Sequence, residues 1–514
     1  MFNSRGVVLV ISDGPEIASS VRELARTLKV VAFAPGYTEY EGNSARVTVI
    51  GGRIVSLTGV LGAFRAQAAM PSGGSVDIGI SSSNKDGTFD LVLDLSKKPL
   101  FSSSIVPLGY FSPQGDPVVL ADAIAALPRL VGRFIKSRFV DYDAALCTHG
   151  AKGLHGCTQC LEVCPAQAIR STGDLVALDT RLCQGCASCA LACPTGAMSF
   201  NRPSRAAVRA SLWRLLATAR SEGNPAPVIV AHVPAGANEI EAIHLPNRVR
   251  TLQIDAIPAF GEEFWFEALA AGAAGVVLVC NANATIEEQT LLDRKIAEAH
   301  ALLNGNGVSS TRLAIVASNA LTAGIAAMPE FVVGASERPV TVPTAIVKRP
   351  MLLAALDALR AESGGVMTPV ALPPGMPFGE VVADRAKCTL CFACVNLCPV
   401  VALAAEREPI PKLSFIEANC VQCGLCKTGC PEKAITLFPR FMVDAAARSD
   451  ARVLHEDELY CCVECGTPFI SQRLLASSLE RINGHPVLEK QGLELLRMCP
   501  TCRQKGTLNT GDGT

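Results

Sequence analysis

Residues 388 to 399 read CTLCFACVNLCP and residues 420 to 431 read CVQCGLCKTGCP. The same spacing, two residues, two residues, three residues and then proline, recurs at Cys183, Cys186, Cys189, Cys193 and Pro194. Three thiolates so closely spaced reach three corners of one cubane iron–sulfur cluster, and the thiol before proline points to a neighbouring cluster. Zinc also takes CxxC pairs, but four thiols at this spacing before proline, three times over, are the mark of cuboidal iron–sulfur sites.

Of 22 cysteines in 514 residues, 21 fall within residues 147 to 193, 388 to 430 and 461 to 502. Clustered thiols in a chain without a secretory signature read as metal ligands before disulfides. Cys280 stands alone after the apolar run Val276 to Val279 and reads as a small buried hydrophobe. The length suggests three or four globular domains. Lys plus Arg number 46 against 47 Asp plus Glu, so no global field draws the chain to nucleic acid or an anionic membrane. The apolar stretch Ala268 to Cys280 is too short to span a bilayer, and Met1 to Asp13 lacks the basic-then-apolar order of a signal peptide. The expectation is a cytoplasmic protein with no membrane insertion and no nucleic-acid partner.

The fold class expected is α/β plus small α+β. Residues 1–140 read as an α/β domain: Val7 to Ile11 and Val30 to Phe33 as strands around a helical stretch from Pro15 to Leu28, with Gly51-Gly52 closing a hairpin within Arg46 to Leu57. Residues 141–200 and 380–440 hold the two cysteine modules. Between them, residues 201–345 read as a second α/β domain. It has a helix from Ser204 to Arg220 and strands at Val228 to Val233, Val249 to Ile254, Val276 to Cys280 and Leu313 to Val316, with a helix at Ile286 to Leu303, the rhythm of an open parallel sheet. Residues 346–379 are a helix near Met351 to Ala361, after Pro343, and a Pro/Gly-rich linker from Gly364 to Gly379. Residues 455–508 carry four more cysteines. No GxGxxG or GxxxxGK[ST] occurs, so neither nucleotide fingerprint is present.

Both cysteine modules resemble bacterial ferredoxins with two 4Fe-4S clusters. The resemblance implies crossed ligation: Cys388, Cys391, Cys394 and Cys430 on one cluster, Cys420, Cys423, Cys426 and Cys398 on a second, and Cys183, Cys186, Cys189 and Cys164 on a third. The fourth site departs from the pattern, because Cys157, Cys160, Cys164 and Pro165 follow Leu154 where the family has its first cysteine. The loop Thr148 to Gly156 would bulge so that Cys147 joins Cys157, Cys160 and Cys193; His149, His155 or a three-iron cluster are the alternatives. The pairs Cys462/Cys465 and Cys499/Cys502 resemble a zinc ribbon and supply four soft ligands for one zinc ion, with Cys461 able to replace Cys462 and a rubredoxin-like iron as the other metal.

Residues 228 to about 320 resemble the delta subunit of methyl-viologen-reducing hydrogenases, but Ala259 follows Pro258 where that family binds a further cluster, and Cys280 is the only thiol nearby. The whole arrangement is similar to the 4Fe-4S proteins that accompany formate dehydrogenases in proteobacteria. These resemblances imply an electron relay through four 4Fe-4S clusters, as a polyferredoxin docked on or accessory to a redox enzyme of formate dehydrogenase or hydrogenase type. An assembly factor and a flavin-containing oxidoreductase are the other readings. No catalytic residue stands out among seven scattered histidines. The modules carry net charges of −2 and +1, too little for long-range steering of a free shuttle.

Overall fold

The computed structural model describes residues 1–14, 17–37, 44–69, 74–101, 103–224, 226–237, 240, 242–280, 283–328, 346–363, 368–482 and 491–509. Pro15, Pro343 and the start of the 364–379 stretch lie outside them.

The run Val7–Ile11 is apolar at every position and buried at every position, as a strand covered on both faces must be. It sits at the centre of a five-stranded parallel sheet in the order Val47–Ile50, Lys29–Phe33, Val7–Ile11, Leu91–Asp94, Tyr110–Phe111. The helices Ala18–Leu24 and Pro117–Ala126 cover one face. Asp116 starts the latter by accepting from the N–H groups of Val118 and Val119, a carboxylate N-cap followed by proline at the first helical position.

The Gly51-Gly52 hairpin does not form. Val47–Ile50 extends the parallel sheet beside Lys29–Phe33, whereas Ile54–Thr58 pairs with Arg65–Ala69 in a separate antiparallel sheet on the opposite face. Gly52 serves close approach instead: a Cβ there would come 2.9 Å from the Phe33 ring as the chain crosses between layers.

Val228–His232, wholly buried, is flanked by Val249–Gln253 and Gly275–Cys280, with Leu313–Ala317 outermost, all parallel. Helix Arg205–Ser221 turns Val208, Leu212, Leu216 and Ala219 inward. Thr285 opens helix Ile286–Gly305 by accepting from the N–H of Glu288, the first half of a capping box. Cys280 lies at the strand's last position and is half-buried rather than enclosed.

Helix Glu262–Ala270 is buried along its whole length although it carries three glutamates. Each is paired: Glu262 with Lys295 at 3.4 Å, Glu263 with Arg205 at 3.1 Å, and Glu267 with Arg209 at 2.7 Å. Buried carboxylates persist only with such partners, and these tie three helices together.

Against it packs helix Lys348–Ser363, and the core they share runs outward into both cysteine modules, through Val163, Leu191 and Ala192 on one side and Phe378, Phe441 and Val443 on the other. The stretch read as a linker is part of this core where it is described: Val370–Ala371 pairs with Ile435–Phe441, and Leu372, Met376 and Phe378 are buried. Its prolines lie beside a turn at Pro374-Gly375 and a bend at Pro377. In the first module Val140–Tyr142 pairs with Met198–Phe200, and in the second Gly379–Ala383 pairs with Ile435–Phe441, each closing a small two-helix unit. No helix among the described residues is long and apolar enough to cross a membrane.

Trp265 is fully buried at the centre of this core. Trp265→Ala is expected to cost about 3–5 kcal/mol in anaerobic denaturant unfolding, whereas Val55→Ala, at a half-exposed position, should leave the midpoint nearly unchanged.

Candidate metal centres

Each thiol triplet is shaped by two residues with left-handed backbone, one on either side of its second cysteine: Gly185 and Ala187, Leu390 and Phe392, Gln422 and Gly424, with φ between 56° and 85°. A third left-handed residue follows every Cys-Pro, at Gln167, Gly196, Val401 and Lys433. This turn aims a backbone N–H at the thiol before proline: Ala168, Ala402 and Ala434 donate to the Sγ of Cys164, Cys398 and Cys430 at 3.2, 3.2 and 3.3 Å, and Met198 to that of Cys193 at 3.4 Å. A left-handed non-glycine residue costs on the order of 1–2 kcal/mol. The chain accepts this at seven cluster-loop positions, Val401, β-branched, among them. Sequence reading passed over these residues, although laying the motifs over one another exposes them, because glycine holds the equivalent place in at least one motif each time.

Four thiol-lined cavities result. One is lined by Cys147, Cys157, Cys160 and Cys193, the next by Cys164, Cys183, Cys186 and Cys189. The second module has one lined by Cys398, Cys420, Cys423 and Cys426 and one by Cys388, Cys391, Cys394 and Cys430. Each set thus joins thiols of one motif to the Cys-Pro thiol of its partner, and Cys147 lies in the irregular set.

His149 also borders that cavity, but both its ring nitrogens are engaged, Nδ1 with the Cys157 carbonyl and Nε2 with the Ser171 hydroxyl, each at 2.8 Å. His155 is exposed. His149 therefore acts as a strut for the loop between Cys147 and Cys157.

The donor chemistry fits a polynuclear metal group. Burial pushes the Cys160 and Cys394 thiols up to about 12 and Cys423 up to about 11, with neighbouring thiols adding to the rise. So many crowded thiols can ionise together only onto cationic metal, which displaces their protons.

Cys157 is among the charges that raise Cys423, so the two modules meet there. The inserted hairpin, Gly150–Ala151 with Leu154–His155, packs on helix Leu425–Thr428 of the second module. A Cβ on Gly156 would lie 2.8 Å from the Leu425 side chain and 3.2 Å from the Cys423 carbonyl. Within the modules Cys160 acts on Cys189 and Cys394 on Cys426. Thiols of successive cavities thus lie within electrostatic reach of one another through all four.

The tail is different in kind. Sγ atoms of Cys462, Cys465, Cys499 and Cys502 all lie within 4.8 Å of one another, with Cys465 and Cys499 at 3.7 Å. Tetrahedral thiolates about 2.3 Å from one ion are spaced in this way. Cys461 is exposed and outside the group. Burial opposes ionisation of Cys462, yet backbone N–H groups of Cys499, Cys465 and Glu464 outweigh it and bring the thiol down to about 6. The module docks beside the last cavity, where the Ser471 hydroxyl donates to the Thr389 carbonyl at 2.9 Å.

Val401 is 64% exposed, so its side chain contributes little packing to offset its φ of 52°. Val401→Gly is expected to stabilise the protein by about 1 kcal/mol in anaerobic denaturation; a loss of stability would show that the loop is not strained.

The 4Fe-4S binding domain family matches residues 176–199, the segment containing Cys183, Cys186, Cys189 and Cys193. A stretch of 47 residues is 47% identical to Hydrogenase-4 component A of Escherichia coli (strain K12). That match covers 9% of this chain and 23% of that protein, so the chain spans less than a quarter of its relative's length. The chain carries a ferredoxin-type 4Fe-4S domain, and the chemistry that such a domain supports is iron–sulfur electron transfer.

Proposed function

We propose that this protein relays single electrons through four 4Fe-4S clusters as a docked subunit or dedicated accessory of a redox enzyme. The observation that carries this reading is the series of four thiol-lined cavities, linked electrostatically across the junction of Cys157 and Cys423. A cubane bound in each would supply one-electron chemistry. The chain's part is to hold and cover it: Tyr142, Val176 and Met198 wall one inner site, and Val381, Leu403 and Leu437 the other. The ligand sets would be those lining each cavity, with Cys147 completing the irregular one. One zinc ion would occupy the Cys462, Cys465, Cys499 and Cys502 site and fix the tail at the end of the series.

A hydrogenase or a formate dehydrogenase is the class of enzyme proposed as partner. The low net charge of both modules favours a lasting complex over diffusive encounter. Anaerobic affinity isolation from the native host should therefore recover such an enzyme in stoichiometric amount, and electron transfer within the complex should change little with ionic strength. A clean monomer, or a steep loss of rate with salt, would count against docking.

Metal analysis of anaerobically purified protein should give about four irons and four sulfides per cluster for four clusters, together with one zinc. Cys147→Ser should alter one cluster only, visible as lost iron or a changed EPR spectrum; full iron with an unchanged spectrum would remove Cys147 from the ligand set.

A further inference from the structure

Two buried cations stand where the modules meet. Lys348 opens the helix Lys348–Ser363 and is 2% exposed. Its Nζ donates to the carbonyls of Ala190 at 2.9 Å and Leu191 at 2.6 Å, just before Cys193. Gly196 permits the approach, since a Cβ there would come 3.0 Å from the Lys348 Cβ. Arg349, the next residue, turns to the other module. Its guanidinium donates to the carbonyls of Ala418, Pro377 and Cys420 and lies 4.8 Å over the Phe378 ring.

Among the described residues neither cation forms an ion pair with a carboxylate: Glu263 and Glu262, whose charges reach Lys348 together with that of the Cys193 thiol, bind Arg205 and Lys295 instead, although Glu263 keeps one buried oxygen without a partner. The charged groups that act on Arg349 are the Cys420 thiol and Arg448, and Arg448 is paired with Asp357. A buried cation with carbonyl partners alone is costly unless an anion lies nearby. A cubane on four thiolates is such an anion, and it becomes more negative when reduced.

We propose that Lys348 and Arg349 are positioning residues that favour electron residence at the inner pair of sites. Lys348 acts on the site of Cys147, Cys157, Cys160 and Cys193, and Arg349 on that of Cys398, Cys420, Cys423 and Cys426. The inference rests on the four-cluster reading. In each transfer an outer site loses one electron and its inner neighbour gains it, with no bond made or broken and no proton moved. The dipole at the helix N-terminus adds to both charges.

The test is an EPR-monitored redox titration of the anaerobically purified full chain, with iron and sulfide measured on every sample. In the wild type two clusters should reduce ahead of the other two, and the half-reduced protein should show spin–spin interaction between neighbours. Arg349→Gln should weaken reduction of one cluster on the order of tenfold, about 59 mV for one electron, and Arg349→Lys should restore it. Lys348→Gln should do the same to a different cluster. A single wave for all four wild-type clusters overturns the proposal without recourse to variants. So do unchanged potentials in both glutamine variants at full iron content. Fewer than four clusters in the wild type would instead defeat the underlying four-cluster reading, and this inference with it.

Discussion

The structure depends on one packing contact, that of helix Lys348–Ser363 against helix Glu262–Ala270. It is the element that both cysteine modules share. Leu356 and Leu359, fully buried on the first helix, and Trp265 and Phe266 on the second belong to one apolar cluster that extends into each module. Two units separated by residues 201 to 379 in the chain are brought side by side because each completes its core on the same scaffold.

The need for such a scaffold follows from size and composition. A module of about 60 residues buries too little apolar surface to be robust alone. These two also give up part of their interiors to thiol-lined cavities. Metal loading and docking on the middle domain therefore replace ordinary side-chain packing. The buried ion pairs of Glu262, Glu263 and Glu267 serve the same end: they add little net stability, but they fix the register between helices on which the first module rests. Lys348 and Arg349 extend this polar layer to the edge of both inner cavities.

How much was legible in the sequence varied with the range of the forces involved. The strands Val7–Ile11, Val228–His232 and Gly275–Cys280 announced themselves as continuous apolar runs, because a strand covered on both faces leaves no room for alternation. Thiol spacing marked the cysteine loops, since local chain geometry brings the three thiols of a triplet to one cavity, whereas the fourth comes from the partner motif. What failed depended on distant neighbours. Gly51-Gly52 has the composition of a hairpin turn, yet its close contact is with Phe33 in another strand. The prolines and glycines between 364 and 379 signal interrupted backbone, and nothing local tells that Met376 and Phe378 meet Phe441 and its surroundings. Lys348 and Arg349 were invisible for the same reason, as two unremarkable cations before an amphipathic helix.

The irregular motif shows most plainly how a local departure can have a distant cause. With Leu154 standing where a thiol belongs, the segment from Thr148 to Gly156 reads in isolation as a bulge needed to bring Cys147 back into reach. In three dimensions it is a hairpin, turned by left-handed Lys152 and Gly153. Leu154 is its contact residue: a Cβ on Gly429 would lie 2.1 Å from the Leu397 side chain and 2.9 Å from that of Leu154, so the absence of a side chain at 429 makes room for both. The insertion thereby joins the modules at the point where their inner cavities are nearest, and the hydrogen bonds of His149 hold it to the first module while Leu154 engages the second. Losing a thiol from the regular position and gaining an interface are two consequences of one insertion, and only the first can be read from spacing.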